Sequence, residues 1–171
     1  MVSISLIKRD ITAFCTTTCT AFGLDTQICY RGSFDARTQV QRTIEQFIEP
    51  PHSACRVLVG GLEFYYEDGQ HLSGISLYCD FGRVKKTDLR INRAVTDPVW
   101  LNFPAAAGSE RDVVNYPASI AVWQDRANNT IRIVLADAKP CDLHELAENL
   151  WVGRTPAGDI GEIWFFGVIW A

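Results

Sequence analysis

The sequence predicts an α+β domain with a single, mainly antiparallel sheet and two or three helices packed on one face of that sheet. Two observations lead to this fold class. After residue 54, apolar and β-branched runs alternate with turn residues, which is typical of hairpins. Segments with helical spacing or capping signals lie before and after those runs. A β-barrel closed around a ligand is the alternative, because hairpins dominate the later part of the chain.

The N-terminal part of the chain predicts a strand, a helix and a second strand. Residues 2–6 alternate apolar and polar side chains, so they predict a short half-buried strand. Residues 11–22 place Ile11, Phe14 and three further apolar residues on one helical face, with Asp10 as cap and Gly23 as stop. The many threonines in this helix reduce its propensity. A strand at residues 26–30 follows.

The clearest helical pattern covers residues 34–49. Ser33 is a suitable N-cap, and the Pro50–Pro51 pair ends the pattern. Its apolar residues recur at the spacing of one helical face: Val40, Ile44, Phe47 and Ile48.

The remaining strands are predicted from runs of period two that are separated by turns. An antiparallel meander occupies residues 55–81, with an Asp68–Gly69 turn. Within residues 82–117, a further strand is an open alternative at 83–95, and the prolines and glycine that follow predict a long irregular connection. A capping-box pattern at Asp142–Glu145 predicts a helix over residues 143–151. The predicted strands are 55–59, 62–67, 72–80, 118–124, 130–136 and 162–170.

Length and charge limit the class of protein. A chain of 171 residues with 47% hydrophobic residues is expected to form one globular domain, residues 1–171. The net charge of −4 and the scattered basic residues predict no nucleic-acid partner. The apolar run at residues 162–170 is too short for a membrane span, and no export signal is recognisable, so a cytoplasmic location is expected.

Cysteine and histidine offer one candidate for chemistry. His52 and Cys55 have the same three-residue spacing as Cys141 and His144, and together they would supply a tetrahedral zinc site if they converged. The sequence does not show whether they meet. Structural zinc sites usually contain closer cysteine pairs, so we expect no metal, no cofactor and reduced thiols. A small Cys/His-dependent enzyme, with or without zinc, is kept as an alternative.

The predicted strand at residues 62–67 offers a binding surface. Period two directs Leu62, Phe64 and Tyr66 to one side and the acidic residues to the other. Tyrosine gives contact area at low entropic cost, and carboxylates favour a basic partner. The candidate binding residues are Glu63, Tyr65, Glu67 and Asp68.

These observations predict a small soluble protein-binding module, for instance an inhibitor or immunity-type partner of a basic protein. The absence of phosphate-binding loops and hydrolase motifs supports binding over catalysis. The alternatives are the Cys/His enzyme and a hairpin-rich carrier of an apolar ligand. Self-association of the chain stays open.

Overall fold

The computed structural model describes residues 2–31, 55–67, 71–104, 113–135 and 142–171. Within these ranges the chain forms strands and no α-helix. The strands are β1 (Ser5–Lys8), β2 (Thr12–Cys19), β3 (Gly23–Arg31), β4 (Cys55–Val59), β5 (Leu62–Glu67), β6 (His71–Tyr78), β7 (Lys85–Lys86), β8 (Val95–Thr96), β9 (Val99–Asn102), β10 (Val113–Tyr116), β11 (Ile120–Asp125), β12 (Thr130–Leu135), β13 (Asp142–Ala147), β14 (Leu150–Arg154), β15 (Ile160–Phe165) and β16 (Ile169–Trp170).

Two seven-stranded sheets form the fold. The first has the strand order β10-β4-β5-β6-β3-β2-β16, and the second has the order β7-β11-β12-β15-β14-β13-β8. A separate ribbon pairs β1 with β9. Buried apolar residues of both sheets, such as Phe64 and Ile75 in the first and Ile133 and Phe165 in the second, belong to one continuous core. This arrangement resembles a β-sandwich.

The predicted α+β class with a single sheet is therefore wrong. Residues 11–22 form β2 and the turn after it, and β2 pairs with β3 along its full length. Its burial follows period two, with Ala13, Thr17 and Cys19 inside, whereas Phe22 is 78% exposed. The β-branched threonines favour this extended backbone, and their preference outweighs the helical spacing of the apolar residues. The helix predicted at residues 34–49 lies outside the described residues.

The helix predicted at residues 143–151 is a hairpin of β13 and β14. Leu143, Leu146, Ala147 and Leu150 have the spacing of a helical face, and all four are buried. A β-bulge between Glu145 and Ala147 lets two successive residues face the core, so a bulged strand pair reproduces that spacing.

The strands predicted at 55–59, 62–67 and 72–80 are confirmed as β4, β5 and β6, and the later hairpin is confirmed as β11 and β12. The single strand predicted at residues 162–170 is instead two strands. β15 belongs to the second sheet and β16 to the first. Gly167 lies between them with a φ of 59°, which an L side chain rarely adopts, so the chain can change sheets there.

The connection predicted within residues 82–117 contains an ordered strap, residues 87–94. It joins β7 at one edge of the second sheet to β8 at the opposite edge. Six strand spacings of about 4.8 Å need about 29 Å, and the nine residue steps from Lys86 to Val95 supply about 30 Å at about 3.3 Å each. The strap is therefore nearly extended. It is held by the amide of Leu89, which donates to Asp125, and by Arg93, which pairs with Glu162.

Candidate interaction face on the first sheet

The sequence assigned the two sides of β5 correctly. Leu62, Phe64 and Tyr66 are buried, with exposed fractions of 0%, 0% and 5%. Glu63 and Tyr65 lie on the opposite side and are partly exposed.

Only part of the predicted acidic face can be followed in the structure. The backbone of Glu67 pairs with His71, but its side chain is not among those described, and Asp68 lies outside the described residues. Glu63 and Tyr65 are the two members of the predicted site whose surroundings are defined.

Neighbouring strands complete the surface around Glu63. β5 lies in the interior of the first sheet, between β4 and β6. Ser76 of β6 is directly opposite Glu63, and Asp25 of β3 is directly opposite Ser76. Side chains at paired positions share one side of a sheet, so Glu63, Ser76 and Asp25 form a row across three strands.

Tyr65 is fixed in this surface by two polar contacts. Its hydroxyl donates to Glu63 Oε2 at 2.5 Å and lies 3.1 Å from the Oγ of Ser76. Gly74 is opposite Tyr65, and a Cβ there would lie 2.7 Å from the carbonyl oxygen of Thr26 and 3.8 Å from the tyrosine ring. The ring thus occupies the space beside a glycine that the close strand approach requires.

Burial is the main reason that the pKa of Tyr65 is raised, followed by its hydrogen bond to Glu63 and by the nearby charges of Glu63 and Tyr78. The hydroxyl therefore stays protonated and keeps donating to the carboxylate at neutral pH. This contact holds the tyrosine ring and the carboxylate in one arrangement.

The two carboxylates of the row differ in their partners. The side chain of Glu63 is 18% exposed. Its Oε2 accepts the hydrogen bond from Tyr65 and lies 4.0 Å from Nη1 of Arg56. Asp25 is an exposed residue, and within the described chain its carboxyl group has neither a hydrogen bond nor an ion pair. Partial burial of its carboxyl raises the pKa of Asp25. Asp25 is thus a partly dehydrated carboxylate whose charge has no counter-charge among the described residues.

Exposed aromatic side chains lie beside this row. Tyr78 is two residues after Ser76 on β6 and is 80% exposed, and Phe22 is 78% exposed. The Cys79 amide donates to the carbonyl of Phe22, so the two aromatic residues belong to the same end of the sheet. We call the set Asp25, Glu63, Tyr65, Ser76 and Tyr78 the tyrosine–carboxylate face.

Sequence reasoning missed Asp25, Ser76 and Tyr78 as members of the face. Their strands come together with β5 only through the pairing of β6 with both β5 and β3. Period two within each strand was the available signal, but it does not reveal which strands are neighbours.

The residues proposed for zinc do not form a described site. Cys55 lies on β4 of the first sheet and His144 on β13 of the second, while His52 and Cys141 are outside the described residues. Across the described ranges, no group of three or more histidine, cysteine or acidic residues is arranged to hold a metal. The Nδ1 of His144 lies 2.5 Å from the hydroxyl of Thr96, which explains its position in the sheet.

The described thiols are poorly suited to nucleophilic chemistry. Cys15, Cys19, Cys29 and Cys79 carry free thiols, of which only Cys19 is fully buried. Burial raises the pKa of both Cys15 and Cys19 to about 11. A reactive thiol needs a lowered pKa, so these two groups are protonated and unreactive at neutral pH.

The outer side of the second sheet carries a different cluster. Glu162 is completely buried and pairs with both Arg93 and Arg132. The Arg132 guanidinium lies between the rings of Trp123 and Trp164, at 5.7 Å and 5.1 Å from their centroids. Because Arg93 belongs to the strap, this cluster ties the strap to the sheet and has a structural explanation.

None of the described segments forms a helix that is long and apolar enough to cross a bilayer.

In comparisons with known proteins, no family model and no curated sequence matches the chain.

Proposed function

We propose that this protein is a small binding module that recognises a basic protein through the tyrosine–carboxylate face, as an inhibitor or immunity-type partner would. The observation that carries the proposal is the partly dehydrated carboxylate of Asp25, which has no ion pair with the described residues and lies in one row with Glu63. A cation from a partner would relieve the cost of that dehydration. The exposed ring of Tyr78 beside the row adds contact area that tyrosine supplies at low entropic cost.

The rigidity of the surface also supports binding. Tyr65 and Glu63 are held by their mutual hydrogen bond on an interior strand of a seven-stranded sheet. Little side-chain entropy is then lost when a partner docks, which increases affinity for a given contact area. The chain's net charge of −4 would also speed the encounter with a basic protein.

We also propose a cytoplasmic location, which the free thiols of Cys15, Cys19, Cys29 and Cys79 support, because oxidising compartments favour disulfides. The Cys/His enzyme is the weaker alternative. The raised pKa values of Cys15 and Cys19 disfavour those two residues as nucleophiles.

The test is affinity capture with three baits: the native chain, Asp25→Lys and Asp10→Lys. Asp10 is an exposed acid outside the face and serves as the matched charge reversal. We expect one basic protein to be enriched by the native and Asp10→Lys baits, to be lost with Asp25→Lys, and to re-form the complex from purified components. Thermal melting of the three baits checks that they are equally folded.

Capture of the same proteins by all three baits would exclude this face from recognition. A reconstituted partner with net negative charge would contradict the electrostatic argument. Either outcome would overturn the proposal.

A further inference from the structure

We infer that the Nε–Nη2 edge of the Arg9 guanidinium binds the carboxylate of a small organic acid, which takes the place of the Glu145 side chain beside it. The site contains none of the residues of the tyrosine–carboxylate face, so the inference goes beyond the proposed function. It is carried by buried donors of Arg9 that lack an acceptor, by the aromatic rings around the guanidinium and by the weak attachment of Glu145.

The guanidinium of Arg9 is fixed in a buried position. Arg9 directly follows β1, and its amide donates to the carbonyl of Pro98 at 2.8 Å. Its side chain reaches the second sheet, where Nη1 donates to the carbonyl of Leu146 at 2.5 Å, within the bulge of β13. The side chain of Arg9 is 0% exposed. Nη1 therefore anchors the cation and leaves its other nitrogens for further contacts.

Two nitrogens of this buried cation have no acceptor. Neither Nε nor Nη2 of Arg9 has a hydrogen-bond partner in the part of the chain that the structure describes. Buried polar groups in native proteins nearly always have such a partner, and an unmet donor on a charged group is especially unfavourable. Burial is also the main reason that the pKa of Arg9 is lowered, against the opposing effects of Tyr30 and Glu145. A further acceptor at this edge would remove that cost.

Aromatic rings form a wall beside the guanidinium. Its central carbon lies 6.0 Å from the ring centroid of Tyr30 and 5.7 Å from that of Trp100. The ring of Trp100 is in turn 4.9 Å from the ring of Tyr30 and 4.9 Å from the ring of His71. All three rings are partly exposed, so the wall extends from the buried cation towards solvent. This wall suits the apolar body of a ligand.

The donors at the open edge of Arg9 favour a carboxylate. Nε and Nη2 present parallel N–H groups, which match the two oxygens of a carboxylate in a bidentate pair. A carboxylate would thus satisfy both donors at once and neutralise the buried charge, and the adjacent rings would cover the rest of an organic acid.

Glu145 occupies the place next to this edge without using it. Its Oε1 lies 3.6 Å from Nη2 of Arg9, which is too long for a hydrogen bond, and its side chain is 34% exposed. Among the described residues its carboxylate accepts no hydrogen bond. Rotation of Glu145 towards solvent would expose the edge, and the incoming carboxylate would replace its charge, so the charge balance around Arg9 would be kept.

The experiment follows the side-chain Nε–H resonance of Arg9 by nitrogen-15 NMR while the full chain is titrated with benzoate. Benzamide and sodium chloride at matched ionic strength are the neutral and inorganic controls. We expect a saturable shift with benzoate alone. The variant Glu145→Gln lacks the competing carboxylate and should bind benzoate about threefold more tightly. The matched control Glu148→Gln removes an exposed acid outside the site and should leave the affinity unchanged.

Loss of the resonance in Arg9→Lys identifies the signal, and the test itself uses chains that retain Arg9. Absence of a saturable shift in both the native chain and Glu145→Gln would overturn the inference and leave the free donors to water or to the rings. Equal saturable shifts with chloride and benzoate would overturn the assignment to a carboxylate. Equal benzoate affinity of the native chain and Glu145→Gln would contradict the displacement of Glu145.

Discussion

The buried carboxylate of Glu162 provides the sharpest test of how the strap is held. Its side chain is 0% exposed, and it pairs with Arg93 and Arg132, whose side chains are 31% and 29% exposed. Replacing Glu162 with glutamine keeps the size of the side chain but removes the buried carboxylate with which both guanidinium groups pair. Breaking a buried ion pair in this way costs about 3–5 kcal/mol. The partial exposure of both arginines gives them some hydration, so we expect a cost near the lower limit, about 3 kcal/mol.

Urea unfolding measures this cost. With a slope of about 2 kcal/mol per molar, Glu162→Gln should lower the urea midpoint by about 1.5 M. The matched control is Asp142→Asn, which removes a carboxylate that lies 3.5 Å from Arg154 and is 48% exposed. Exposed pairs contribute about 0–1 kcal/mol, so the control should move the midpoint by less than about 0.5 M. Equal shifts for the two variants would refute the assignment of Glu162 as the buried anchor.

Three further predictions concern single residues. Hydrogen bonds from Asn128 lower the pKa of Asp125 below 3.8, so its stabilisation is present at neutral pH and is lost as the pH falls through the lowered pKa. Asp125→Asn should therefore reduce the melting temperature at pH 7 and have a smaller effect near pH 2. Burial raises the pKa of Asp25, so the ionised carboxylate destabilises the folded state above that raised pKa. Asp25→Asn should therefore raise the melting temperature at pH 7 and leave it unchanged near pH 3. Gly74→Ala places a Cβ 2.7 Å from the Thr26 carbonyl, and chemical unfolding should show a loss of about 1–3 kcal/mol.

Local patterns were sufficient for the strands that follow one another in the chain. The β4–β5–β6 meander and the β11–β12 hairpin join consecutive strands through tight turns, so turn residues and period two predicted them. The same period predicted which side of β5 Glu63 and Tyr65 occupy.

The helix predictions at 11–22 and 143–151 failed because apolar spacing over a short segment does not distinguish a helix from a strand with an irregularity. The bulge after Glu145 places both Leu146 and Ala147 in the core, which mimics a helical face. Long-range strand pairing determines that two sheets form and that the chain passes from one to the other at Gly167. No local pattern reveals that pairing.

The candidate site was half predictable for the same reason. Glu63 and Tyr65 are two residues apart on one strand, so alternation placed them together. Asp25 and Ser76 are fifty-one positions apart in the chain and meet only because β3 pairs with β6. That pairing places the carboxylate of Asp25 in the same row as Glu63.

The most direct test of the central claim is the dissociation constant of the complex reconstituted from purified partner and chain. The native chain and the Asp10→Lys control should bind equally, and Asp25→Lys should bind at least tenfold more weakly, about 1.4 kcal/mol or more. The native affinity should also fall as salt is raised, because exposed charges are screened over about 8–10 Å. Equal affinity of all three chains, with no dependence on salt, would contradict recognition of a basic partner by the tyrosine–carboxylate face.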